Sequence, residues 1–68
     1  MKLHIEIEQE DDGRWIAEVP ELSGVLAYGR TREEAAARVE ALAMRVLAER
    51  LENGELPASD ISLSLALN

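Results

Sequence analysis

The side chains of this 68-residue chain that could do chemistry are carboxylates. There are fourteen Asp and Glu against seven Lys and Arg, with one histidine and no cysteine. Two groupings stand out. Glu6, Glu8, Glu10, Asp11 and Asp12 fall within seven consecutive positions, and Glu6 could meet a glutamate of a following helix and Asp60. The second grouping would suit a two-metal nuclease, which needs several acids converging on cations about 3.5–4 Å apart. Glu6, however, is expected on the sheet face turned away from the helix, and Asp60 at the start of its strand, so a non-catalytic reading is favoured. Within the first grouping, Glu8, Glu10, Asp11 and Asp12 could hold a hard cation through oxygen ligands, but they lack the fixed spacing of a calcium loop. His4 has no orienting partner in the sequence, and neither Thr31 nor Ser23 has a nucleophile's context. The four glycines show no phosphate-cradling spacing. No catalytic residue, metal or cofactor is expected. The acidic run reads as solvated surface or as a face for a basic protein.

Charge supports that choice of partner. The formal net charge is −7, the wrong sign for a protein that neutralises phosphates, so direct nucleic-acid binding is not expected. A basic partner protein would be steered toward such a field. The N-terminus lacks an apolar signal-peptide core, and no run of 18 apolar residues exists. A soluble, cytoplasmic domain without membrane contact is expected.

These side chains must be positioned by a few short elements. Leu3, Ile5 and Ile7 alternate with His4, Glu6 and Glu8, which predicts a half-buried strand. The acidic cluster ends at Asp12-Gly13, a hairpin signal. Trp15, Ala17 and Val19 then share one face of a second strand, with Ile16 and Glu18 on the other, and Pro20 closes it. Trp15 is expected between sheet and helix. Val25–Tyr28 predicts a short third strand, with Tyr28 unassigned. Thr31-Arg32-Glu33-Glu34 is a capping box that opens a helix running to about Glu52, with Gly54 as its terminator and Pro57 beyond. Residues Asp60–Asn68 alternate again as a fourth strand.

The order β-β-β-α-β, with a right-handed crossover, gives residues 1–68 as a single α+β domain. It has two layers: a mixed four-stranded sheet in the order 3-2-1-4 and one helix on one face.

A domain this small buries a thin core, rarely worth more than about 3–5 kcal/mol net, and commonly relies on a staple. Without cysteine, a partner chain is the expected one. Two surfaces invite it. At 100° per residue, Ala35, Val39, Leu42 and Val46 fall within about 60° of arc and form the core stripe, widened by Ala36 and Ala43. Met44, Leu47 and Leu51 lie roughly 120–180° away and are expected at an oligomer interface. The last strand, with Ile61, Leu63 and Leu65 on one face, carries no charge or proline after Asp60 and is expected to recruit another subunit.

The run Asp12-Gly13-Arg14-Trp15-Ile16-Ala17-Glu18-Val19-Pro20-Glu21-Leu22-Ser23-Gly24, followed by Ala27-Tyr28-Gly29-Arg30-Thr31-Arg32-Glu33-Glu34-Ala35, resembles the HicB-like antitoxins, including their short stand-alone members. The resemblance implies a degenerate, partial ribonuclease-H-like fold. It also implies a module that binds and blocks a small basic mRNA interferase, the HicA toxin. In two-domain relatives a C-terminal DNA-binding domain represses the operon, and no such segment follows here, so repression by direct DNA contact is not expected. Two readings result. One is a non-catalytic antitoxin-like module with Glu6, Glu8, Glu10, Asp11 and Asp12 as its partner face. The other is a self-assembling dimer or tetramer with no toxin partner.

Overall fold

A computed structural model describes residues 2–56 and 64–67. Its elements are β1 (Lys2–Gln9), β2 (Trp15–Glu18), β3 (Leu26–Gly29), α1 (Arg32–Glu52) and β4 (Ser64–Leu67). The hairpin between β1 and β2 is built by a three-residue loop. Gly13 N–H donates to the Glu10 carbonyl at 2.9 Å and Glu10 N–H to the Arg14 carbonyl at 2.7 Å, while Gly13 takes a φ of 90°. The positive φ is why glycine stands there. The odd loop length also keeps inward residues opposite inward residues, with Ile7 facing Ala17 and Glu6 facing Glu18. A two-residue turn would set one strand's core face against the other's open face.

β1, β2 and β3 form a three-stranded antiparallel sheet. β4 runs parallel to β1, so the pairing order across the strands is β3-β2-β1-β4. The two ladders nevertheless use different halves of β1. Residues 6–9 pair with β2, and residues 2–5 pair with β4. Among the described residues, four strands nowhere lie abreast. The expected mixed four-stranded layer is thus corrected to a three-stranded antiparallel sheet with one helix, extended at the far end of β1 by a short parallel pair. The partial ribonuclease-H-like outline, which calls for those strands side by side, goes with it.

The physical cause lies at the end of β2. Val19 N–H donates to the Val25 carbonyl at 3.0 Å, the next rung of the β2–β3 ladder and the mouth of a tight loop through Leu22. The following residue on the β1 side is Pro20, which has no N–H to offer. β2 therefore stops short of the first half of β1. Leu22 and Val25, 1% and 3% exposed, are turned inward by this loop and plug the core.

The helix opens on Thr31, whose hydroxyl accepts the Glu34 N–H at 3.0 Å. The Glu34 carboxylate reaches back to the Arg30 N–H, also at 3.0 Å, one residue before the Thr31 N–H the capping box suggests. It closes on Gly54 (φ 71°). There the Gly54 and Glu55 N–H groups satisfy the Leu51 and Arg50 carbonyls, a Schellman ending. The core comprises Leu3, Ile5, Ala17, Val19, Leu22 and Val25 against Ala35, Val39, Ala43 and Leu47, with Trp15, Leu42 and Val46 partly buried around it. Leu47, expected at an oligomer interface, is 2% exposed and belongs to this core. Met44 and Leu51 are 44% and 37% exposed. Ile61 and Leu63 lie outside the described residues, and Leu65 is placed by its backbone register opposite Leu3.

Candidate functional site

One helix covers one face of the antiparallel sheet, and none of the described residues covers the other. Alternation along the strands decides what it shows. Ile7, Ala17 and Ala27 form a row facing the helix, so Glu6, Glu18 and Leu26 make one open row, and Glu8, Ile16 and Tyr28 the next. Glu6, Glu8, Ile16 and Glu18, with the edge of Ile7, line a shallow concavity of about 440 Å³. Beside it Leu26 and Tyr28 are 41% and 38% exposed. The site is thus a patch of apolar and aromatic surface bordered by three carboxylates.

Glu6 and Glu18 sit directly opposite each other across the strand pair, an arrangement that costs stability because like charges face at short range. Arg14 is a cation of this neighbourhood. Its guanidinium lies 4.6 Å from the Tyr28 ring centroid, and its Nε donates to Asp12 at 2.7 Å. Arg14 is thereby held over the aromatic ring and away from the Glu6–Glu18 pair. Asp12 also accepts the Arg14 N–H at 3.1 Å. That backbone bond first, and the guanidinium second, hold its carboxyl below the usual 3.8.

Of the five acids expected to form the partner face, Glu6 and Glu8 are on it. Glu10, Asp11 and Asp12 occupy the hairpin end, where Asp12 is already matched by Arg14. Glu18, Ile16, Leu26 and Tyr28 complete the face and were not singled out from the sequence. Only the hairpin register brings Glu18 to Glu6. Asp60, offered with Glu6 for a metal pair, lies outside the described residues. Among the described residues no three His, Asp or Glu side chains converge to hold a metal ion, and no helix is long and apolar enough to cross a membrane.

His4 does have a partner. Where β2 has ended, Glu21 takes over its side of β1, accepting the His4 N–H at 3.0 Å through Oε1 and the imidazole Nδ1–H through Oε2. A carboxylate can only accept, so the ring proton sits on Nδ1. The ring bond first, and the backbone bond next, hold the Glu21 carboxyl below its ordinary 4.5. A carboxyl lowered in the folded state adds stability at neutral pH that is lost as pH falls through its folded value. Glu21→Gln should therefore be less stable than the parent at pH 7. In denaturant titrations the difference should close well below pH 4.5. A gap that persists unchanged at pH 3 would remove this role.

No protein-family model, curated protein or solved structure matches the chain.

Proposed function

We propose that the open sheet face is a protein-docking surface for a small basic partner, and that the partner is a toxin of the HicA mRNA-interferase class. On this reading the chain is a non-catalytic antitoxin. The observation that carries it is the Glu6–Glu18 pair with Glu8 beside it, around an apolar floor at Ile16 and next to exposed Leu26 and Tyr28. A folded chain gains nothing from two carboxylates facing each other, whereas a lysine- or arginine-rich partner neutralises both while covering the apolar rim. The HicB-like run at residues 12–35 supports the identity of the partner, since it includes β2, β3 and the start of α1.

The test is a trade-off between binding and stability. Glu18→Lys removes the like-charge pair and should raise stability by a few tenths of a kcal/mol. It should also weaken capture of a HicA-type toxin by about tenfold or more and release RNA cleavage in a protection assay. Glu52→Lys, on the helix, is the control for net charge alone. Equal weakening by both variants, or no capture by the parent, would sink the reading.

A further inference from the structure

The helix carries a second apolar seam that the other described residues leave uncovered. Ala37, Ala41, Met44, Ala48 and Leu51 are all exposed and follow one another at alternating intervals of four and three, the spacing of a coiled-coil seam. At 100° per residue they occupy about 80° of arc on the side away from the buried row Ala35, Val39, Ala43 and Leu47. Assigning Ala41 and Ala48 to heptad position a, and Ala37, Met44 and Leu51 to d, places exposed Glu33 and Glu40 at g and exposed Arg38 and Arg45 at e.

We propose that this seam pairs with the same seam of a second copy, the two helices parallel and in register. Charge complementarity selects both the occupant and the direction. In a parallel pair each g residue meets the e residue five positions on in the partner helix. Glu40 then faces Arg45, twice over by symmetry. Glu33 lies beside Arg38, whose guanidinium already donates to the Tyr28 carbonyl at 3.0 Å and pairs with Glu34 at 3.4 Å in its own chain, so the Glu40–Arg45 pair carries the selection. In the antiparallel registers that keep most of the seam overlapped, Arg45 meets Arg38 or Arg45 of the other copy. Alanine at a lets the backbones approach toward the short end of helix spacings, about 8 Å. The sheets lie on the outer sides of such a dimer, so both acidic faces stay open. This inference is independent of the toxin reading. An interface of one helix pair is small, and the dissociation constant is expected on the order of tens of micromolar.

Sedimentation equilibrium of the full chain up to about 1 mM tests it. The parent should dimerise, and Met44→Glu should raise the dissociation constant more than about tenfold with unchanged helical circular dichroism. Arg45→Glu should weaken the dimer, and adding Glu40→Arg should restore it. The chain has no cysteine, so Ala37→Cys reports direction. Parallel helices place residue 37 beside its copy, within disulfide reach. Antiparallel ones separate the two by about 16 Å or more along the axis. A parent that stays monomeric, a Met44→Glu chain that dimerises equally well, or an Ala37→Cys chain that does not cross-link each overturns the proposal.

Discussion

Gly29→Ala should cost about 2–4 kcal/mol of folding stability, a large part of what a chain this size has. A Cβ built on Gly29 would stand 2.5 Å from the Ala35 nitrogen and 3.0 Å from both the Ala35 Cα and the Glu34 carbonyl carbon. All three neighbours are backbone in the first turn of α1, so no side chain can rotate aside. To make room the helix must lift off the end of β3. That strains the Thr31–Glu34 cap and the Arg38 bond to the Tyr28 carbonyl, now 3.0 Å. Gly24 is the control. Its φ is 79°, and a methyl group added there would meet nothing within 4 Å. Gly24→Ala therefore faces only the backbone preference, about 1 kcal/mol. Urea titrations of the two variants decide it. A Gly29→Ala protein within about 0.5 kcal/mol of the parent would show that the close approach is not a constraint.

That contact also explains why the cap sequence reads so clearly. Gly29, Thr31, Glu34 and Ala35 form one joint, in which the strand ends without a side chain, the hydroxyl caps, and the smallest helical residue receives the strand. Such local signals need no knowledge of the rest of the fold, and so the helix limits from Thr31 to Gly54 were legible. The extent of β2 was not. Pro20 announced an end, but the handover of the β1 edge to the Glu21 carboxylate is a long-range choice that no period encodes. Four strands were therefore expected abreast, whereas the two ladders occupy successive halves of β1. The candidate face was half legible for a similar reason. Alternation put Ile16 and Glu18 on the open side, but the loop register was needed to set Glu18 against Glu6.

Leu47→Ala should cost about 2–4 kcal/mol and Met44→Ala less than about 0.5 kcal/mol when both are measured at low micromolar concentration. Periodicity alone grouped these residues, because it centred the core stripe on Ala35, Val39, Leu42 and Val46. The helix instead meets the sheet along Ala35, Val39, Ala43 and Leu47. That row steps by four and is inclined to the helix axis by about 26°. A twisted sheet is met along such an inclined ridge, so the buried side swings round the helix toward its C-terminal end. Leu47 is carried into the core at 2% exposure, while Leu42 and Val46 are left partly covered. Truncating Leu47 opens a cavity beneath rigid neighbours, whereas truncating Met44 removes a side chain already 44% in water. At concentrations near 1 mM the order of effects on association should reverse among chains that remain folded, with Met44→Ala weakening the dimer. A Leu47→Ala protein as stable as Met44→Ala would mean that the helix sits on the sheet along the straight stripe after all.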